Sequence, residues 1–236
     1  MFEEDPDLAE NIPSPLREQA VRECLARTVL VPTGRWQASE TAPGRDGIGL
    51  LVLEGLLTRR VGVDGRFGAE LLGVGDILRP WLGEDDPPAL ALATGWRVIE
   101  PLRMAVLDVQ FARRVARYPH TTGRLVGRAL ERSRNLALNM AIVHQARVDV
   151  RLRMLFWQLA RRWGRVRSGC VSLPLRLTHS VLADLVAARR PTVTTALSEL
   201  ARAELVRQVD DGWLLRGLPP RELLELVTVE PSLQHR

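Results

Sequence analysis

The chain has 236 residues, 46% hydrophobic side chains and a formal net charge of +5, which suits one large or two modest globular domains. All 33 basic side chains are arginines, and a GC-rich coding bias accounts for this better than selection for phosphate binding does. The apolar runs are too short to span a bilayer, and Cys24 and Cys170 form no CxxC pair. These features exclude a membrane protein, a disulfide framework and a cysteine zinc site, and they suit the cytoplasm.

The N-terminal segment is acidic. Residues 1–15 contain three prolines among their acidic side chains, which predicts a flexible arm. Apolar side chains then recur at helical spacing, which predicts a lead-in helix over residues 16–27 with these members: Leu16, Ala20, Val21, Cys24 and Leu25.

Between residues 29 and 108 the pattern changes to short apolar runs separated by Gly, Pro and Asp. Six strands are predicted, at residues 29–31, 49–53, 56–61, 67–72, 89–93 and 104–107. Val63, Asp64 and Gly65 read as a hairpin turn between two of them. Many short strands with turns at this spacing predict a sandwich or barrel.

Two helices should follow the strands. The first is predicted over residues 110–118 and the second over residues 121–145, which contain no proline. The second helix carries a heptad seam formed by Val126, Ala129, Ser133, Leu136, Met140 and Val143. Two interpretations fit the seam: a dimer contact, or an amphipathic helix packed on its own strands.

A basic amphipathic helix is predicted after residue 148. The side chains expected in its core face are Leu152, Leu155, Phe156, Leu159 and Trp163. Residues 221–227 predict one last helix near the C-terminus.

The stretch from residue 177 to residue 216 predicts a helix-turn-helix followed by a hairpin. Thr178 caps a helix over residues 179–186, and Pro191 opens a second helix that extends to about residue 203. Two strands then flank the turn at Asp210, Asp211 and Gly212, which makes the hairpin a wing.

The second helix of this stretch has the chemistry of a DNA-reading helix. Its apolar stripe of Val193, Ala196, Leu197 and Leu200 leaves a polar outer face formed by Arg189, Arg190, Thr192, Thr194, Thr195, Ser198 and Arg202. Arginine can grip guanine O6 and N7, while Ser and Thr reach phosphates or thymine methyl groups. Residues 147–207 also hold twelve arginines against four acidic residues. A solvated helix in an ordinary helical domain is the alternative.

The residues Leu177, Thr178, Leu182, Ala183, Leu185, Val186, Arg190, Thr192, Val193, Leu197 and Leu200 resemble the winged-helix signature of the Crp/Fnr (cyclic AMP receptor protein) superfamily. The resemblance implies a regulator that binds DNA as a dimer. It also implies that Asp149, at the position of the family's hinge, is the N-cap of the helix after residue 148. It implies base contacts from Arg190, Pro191, Thr194 and Thr195, and phosphate contacts from Thr178, His179, Arg189 and Thr192. Pro191 stands where the best-known members have Glu, so we expect a different operator.

The upstream region resembles the β-roll sensor of the same superfamily through Leu53-Glu54-Gly55, Asp64-Gly65 and Gly75-Asp76-Ile77. Members that bind cyclic nucleotides have a Glu for the ribose and an Arg for the phosphate, and both are missing here. A buried phosphate without its cation would be poorly compensated, so we expect neither cyclic AMP nor cyclic GMP.

Other sensing chemistries find little support in the sequence. The iron–sulfur branch uses four cysteines, and no histidine stands at a plausible haem position; the histidines are His120, His144, His179 and His235. Arg79, Trp81 and Glu84 are candidates for an altered effector pocket, but Trp81 filling the roll is the favoured interpretation.

The sequence thus predicts an α+β fold with a double-stranded β-roll, a long dimerisation helix and a C-terminal winged helix. The expected divisions are residues 1–15, 16–118, 119–147 and 148–236. We expect a cytoplasmic, sequence-specific regulator without catalytic activity or a cofactor. The candidate partners are double-stranded DNA, a second copy of the chain, RNA polymerase and an unidentified effector. The alternative is a regulator-derived protein with a vestigial sensor that acts through a protein partner or as a non-specific DNA architectural factor.

Overall fold

The computed structural model describes residues 1–37, 46–63, 66–81 and 93–223. The chain divides into two units, Met1–Ala137 and Leu138–Arg236. The boundary between them falls within the predicted dimerisation helix. The α+β class predicted from the sequence is confirmed.

Six antiparallel strands form the sheet of the N-terminal unit. They are β1 (Arg27–Val31), β2 (Gly34–Trp36), β3 (Gly49–Val63), β4 (Arg66–Gly73), β5 (Ile77–Leu78) and β6 (Ala93–Leu107). The sheet order is β1-β6-β3-β4, with β2 paired to β6 and β5 paired to β3. The turn predicted at Asp64 and Gly65 and most of the strand predicted at residues 89–93 lie outside the described residues.

Strand β3 is one continuous strand that covers both strands predicted at residues 49–53 and 56–61, on either side of Gly55. The register against β6 shifts on both sides of this residue, which marks a β-bulge. Gly55 has a φ of +91°, and a Cβ atom added there would lie 2.1 Å from the carbonyl oxygen of Pro101. The glycine therefore bends one continuous strand and does not end it.

Both faces of the sheet are apolar. Leu50 and Val52 belong to one buried cluster with Trp36, whereas Leu51 and Leu53 belong to another. Because successive side chains of a strand point to opposite faces, burial on both faces produces the continuous apolar run of this strand.

The N-terminal segment is not the flexible arm expected from its charge. Residues Pro6–Ala9 form a short 3-10 helix, and the apolar side chains between the acidic ones are buried: Phe2, Leu8, Ala9 and Ile12. Helix α1 follows at Ser14–Glu23, and it buries Ala20 while Leu16 is exposed. Leu25 is also exposed, so the predicted apolar face of the lead-in helix is only partly correct.

Arginines on one side of a long helix hold this segment in place. Helix α2 (Val109–Val115) starts after Asp108, whose carboxylate accepts from the Phe111 N–H at 2.7 Å, and α3 (Pro119–Val143) follows. From α3, Arg124 binds Glu10, and Arg128 binds Asp5 at 2.8 Å. A third member of this row, Arg132, donates to buried Glu70 at 2.5 Å. The row of arginines fixes α3 to its own unit.

Removing the cation of the buried pair should destabilise the N-terminal unit. We expect Arg132→Met to lower the free energy of unfolding by about 2 kcal/mol, because buried Glu70 would lose its closest cation and keep Arg59 at 3.5 Å. Urea unfolding measures this loss. The matched control Arg124→Met removes an exposed pair and should cost less than about 1 kcal/mol; equal losses would contradict the account.

The C-terminal unit packs helices on a four-stranded antiparallel sheet. Its elements are α4 (Val148–Trp163), β7 (Arg165–Arg167), β8 (Cys170–Leu173), α5 (His179–Leu185), α6 (Arg190–Arg202), β9 (Val206–Val209) and β10 (Gly212–Leu215). The sheet order is β7-β8-β10-β9. Only residues 221–223 of the last predicted helix are described, and they are helical. None of the described helices has the length and apolarity that a membrane crossing requires.

The prediction that Asp149 is the N-cap of α4 is wrong. The helix starts at Val148 with Arg147 in the N-cap position, and Asp149 lies in the first turn. Arg147 donates to the Asp149 carboxylate at 2.7 and 3.0 Å, and these bonds hold the pKa of Asp149 below its ordinary value. A carboxylate in the first turn still stabilises the helix by its interaction with the positive end of the dipole.

Candidate nucleic-acid interface

The first helix of the helix-turn-helix begins as predicted. Thr178 caps α5 by accepting the Val181 N–H at 3.3 Å. Leu182, Ala183 and Leu185 are buried, which leaves the cap and the neighbouring His179 toward the outside of the unit.

The turn between the two helices is held by a residue that the sequence did not single out. Arg151 of α4 donates to the carbonyl of Val186 at 3.1 Å and to that of Gln145 at 2.6 Å. Carbonyls at the C-terminal end of a helix lack partners within the helix, so this guanidinium satisfies one of them and fixes the turn. Among twelve arginines in this region, the sequence carries no signal that distinguishes the one that performs this role.

Both helices of the motif end in the same way. Ala187 follows α5 with a φ of +49°, and Glu204 follows α6 with a φ of +54°. In each case the next N–H reaches back to the helix: Ala188 donates to Ala183, and Leu205 donates to Leu200, both at 3.0 Å. These are Schellman ends in which a non-glycine residue takes the left-handed position.

Glycine at the first of these ends should stabilise the unit. We expect Ala187→Gly to raise the free energy of unfolding by about 0.5 kcal/mol, because relief of the left-handed strain exceeds the added entropy of the unfolded chain. Thermal or urea unfolding measures the change. The control Ala201→Gly, inside helix α6, should instead lower stability by about 1 kcal/mol. A loss of stability in both variants would contradict this interpretation.

Helix α6 exposes the face that the sequence assigned to DNA. Val193, Ala196, Leu197 and Leu200 are buried as predicted. The predicted base-contacting residues are all exposed: Arg190, Pro191, Thr194 and Thr195. Thr178, Arg189 and Thr192 are exposed and His179 is partly buried, so the residues expected at phosphates are also accessible. Their contacts with DNA stay predictions.

A hydrogen bond links the two helices on this face. The Nδ1 atom of His179 lies 2.9 Å from the hydroxyl of Thr194. The His179 ring also lies near the indole of Trp213, with 6.5 Å between the ring centres. These contacts set the position of His179 relative to the N-terminal half of α6.

The wing is attached to the core through its second strand. Trp213 on β10 is buried and packs on Phe156 of α4, with the ring centres 4.8 Å apart. Gly212 opens this strand with a φ of +144°, and a Cβ atom there would lie 2.1 Å from the Leu173 carbonyl oxygen. The glycine predicted for the turn is thus also needed for the close approach of β8.

Most of the predicted seam on α3 is left uncovered by the described residues. Val126 is 54% exposed, Met140 is 64% exposed and Leu136 is 36% exposed. Ala129 and Ser133 are also exposed, and Val143 is partly buried. Leu130, which the sequence analysis left out, is 66% exposed beside them.

The candidate effector residues do not come together as a described pocket. Trp81 is partly buried and packs against the apolar cluster that contains Trp36, which matches the interpretation that it fills the roll. Arg79 is exposed, and Glu84 lies outside the described residues.

Comparison with known proteins identifies the C-terminal unit. Residues 150–225 match the model of the Crp-like helix-turn-helix domain, and no curated protein sequence matches the chain. Three solved structures share its fold at low sequence identity. A cyclic nucleotide-binding domain containing protein from Listeria monocytogenes is 14% identical, with a TM-score of 0.67 over 90% of this chain and 96% of that one.

The other two structures are of proteins named CooA and CprK. A CooA mutant from Carboxydothermus hydrogenoformans is 16% identical, with a TM-score of 0.62 over 88% of this chain and 89% of that one. CprK complexed with OCPA is 16% identical, with a TM-score of 0.55 over 91% of this chain and 94% of that one. Residues 150–225 therefore carry a Crp-like helix-turn-helix domain, and the chain shares the fold of these three solved structures.

Proposed function

We propose that this protein is a transcription regulator that binds a two-fold-symmetric DNA operator as a homodimer. The observation that carries the proposal is the exposed N-terminal half of α6, where Arg190, Thr194 and Thr195 stand free of the buried stripe. A helix that presents arginine and small side chains at its N-terminal end suits the major groove. Thr178, His179, Arg189 and Thr192 are the proposed phosphate contacts.

The charge of this region supports binding to a polyanion. Several arginines near the helix-turn-helix are exposed, among them Arg161, Arg162, Arg165, Arg167 and Arg207. Each arginine that neutralises a phosphate releases counterions, so binding should weaken as salt rises. Because the net charge of the whole chain is only +5, the excess is local to the proposed DNA-binding unit.

The uncovered seam on α3 supports the homodimer. Four apolar side chains at helical spacing are exposed there: Val126, Leu130, Leu136 and Met140. Two copies of α3 packed along this seam would remove these groups from water. The resulting two-fold axis would present two copies of α6 to successive major grooves about 34 Å apart.

The interior of the roll supports a regulator that does not use cyclic AMP. Trp36, Leu57, Leu72 and Val98 are buried there, and Trp81 packs against them. A cyclic phosphate needs a cation and polar partners, whereas the described members of this cluster are all apolar. We therefore propose that any effector differs from cyclic AMP.

We propose a regulatory protein without a catalytic step. It would act in the cytoplasm, where the DNA is accessible. Its required partners are duplex DNA and a second copy of the chain. RNA polymerase is the expected further partner of a regulator that activates, and the effector is unidentified.

Selection of bound DNA from a random pool, with and without metabolites from a cell extract, tests the proposal. The expected result is enrichment of an inverted repeat whose half-site centres are about one helical turn apart, or a multiple of one turn. Salt-sensitive binding with no enriched sequence would overturn it and favour a non-specific architectural protein.

A further inference from the structure

The hydroxyl groups on the exposed face of α6 are already engaged with their own helix. Thr194 donates to the Arg190 carbonyl at 3.1 Å, Thr195 donates to the Pro191 carbonyl at 3.2 Å, and Ser198 donates to the Thr194 carbonyl at 3.0 Å. A hydroxyl group has one hydrogen to donate. In this arrangement none of the three has a donor left for DNA.

The hydroxyl oxygen of Thr194 has a second partner. The Nδ1 atom of His179 lies 2.9 Å from this oxygen, and the tautomer with a proton on Nδ1 donates to Thr194 while Thr194 donates to the Arg190 carbonyl. This bond occupies one of the two lone pairs on the oxygen. The Thr194 hydroxyl group therefore has little hydrogen-bonding capacity left for DNA, and its γ-methyl group remains available for an apolar contact.

Pro191 adds an apolar group to the same face. It is exposed and has no N–H, so its contribution is the edge of the pyrrolidine ring. Residues three and four positions apart are neighbours on a helix, which places Pro191 beside Thr194 and Thr195. A ring and two methyl groups therefore form a patch without donors on the exposed N-terminal half of α6, which also carries Arg190.

We infer that this patch reads the C5-methyl groups of thymine in each half-site of the operator. The inference rests on the proposed function. In the major groove, adenine and guanine offer N7 acceptors that need a donor, whereas thymine offers a methyl group that an apolar surface can recognise. The half-site should therefore place thymine beside the guanine that Arg190 binds.

Replacing thymine by deoxyuridine, one position at a time in the selected operator, tests the inference. Deoxyuridine pairs as thymine does but lacks the methyl group. We expect about a three- to fivefold loss of affinity at each contacted thymine, the worth of one buried methyl group, and no change at thymines between the half-sites.

Two variants of Thr195 separate the methyl group from the hydroxyl group. Thr195→Val keeps the methyl group, so it should bind the thymine operator within about twofold of the original protein and stay sensitive to deoxyuridine. Thr195→Ser keeps the hydroxyl group but loses the methyl group, so its affinity for the thymine operator should be about three- to fivefold lower than that of the original protein. Replacing thymine by deoxyuridine should not lower the affinity of this variant any further. Circular dichroism melts verify that both variants are folded.

The inference is wrong if deoxyuridine has no effect at any half-site thymine, if the selected half-sites lack thymine, or if Thr195→Val loses more affinity than Thr195→Ser. In those cases the enriched operator still upholds the proposed function. A pool without any enriched sequence overturns both.

Discussion

Arg190→Ala is expected to cost about 1–3 kcal/mol of operator binding per half-site and to relax the choice of base at one position in each. Arg190 is exposed at the first turn of α6, where a bidentate pair with guanine O6 and N7 is within the reach of an arginine. Because a dimer uses the residue twice, the loss should appear in both half-sites. Fluorescence anisotropy on the selected operator and on single-base variants of it measures both effects.

Arg202→Ala is the matched control for this prediction. Arg202 is exposed on the same helix but lies in its last turn, far from the N-terminal half. It should change affinity little and leave the base preference intact. If Arg190→Ala instead weakened binding equally on operator and random DNA, Arg190 would be a phosphate contact and not a base reader.

Met140→Glu is expected to convert the dimer to monomers at micromolar concentration and to lower operator affinity more than about 100-fold. Met140 is 64% exposed in the chain, and in the proposed dimer a carboxylate there would be buried beside its symmetry mate. Once the dimer separates, each half-site is bound alone and the advantage of linked binding is lost. Sedimentation velocity and anisotropy measure the two effects.

His120→Glu is the control for the seam. It also introduces a carboxylate at an exposed position of α3, but in the first turn, before the first residue of the seam. It should remain dimeric. A Met140→Glu protein that stays dimeric with unchanged affinity would show that the α3 seam is not the dimer contact.

The winged helix could be predicted from the sequence because its signals are local. Thr178 marks the start of α5, Pro191 marks the start of α6, and the buried stripe of α6 follows from the spacing of Val193, Ala196, Leu197 and Leu200. The turn between the helices carries no comparable signal. Ala187 takes a left-handed conformation that glycine usually marks, and Arg151 reaches the turn from another helix.

The errors in the N-terminal unit come from contacts that are distant in sequence. The local sequence of residues 1–15 predicts a flexible arm because it does not show the partners of the acidic side chains. Some of these partners are arginines more than one hundred positions away, such as Arg128, which binds Asp5. The local sequence predicts that Gly55 ends a strand, because the bulge at Gly55 is defined by its pairing with the region of Pro101 on β6. Local patterns do not encode such partners.

The seam on α3 shows a different limit. Its heptad pattern could be read from the sequence, but the pattern left open whether the helix packs on its own unit or on a second copy. The exposure of Val126, Leu136 and Met140 favours the second copy, and it adds Leu130 to the seam.

The most direct test of the central proposal compares the selected inverted repeat with the same repeat carrying about five extra base pairs at its centre, roughly half a helical turn. If one dimer presents two copies of α6 to the same face of the duplex, the insertion should abolish tight binding and leave only the affinity for random DNA. Equal affinity for the original repeat, the extended repeat and a random duplex would contradict the account.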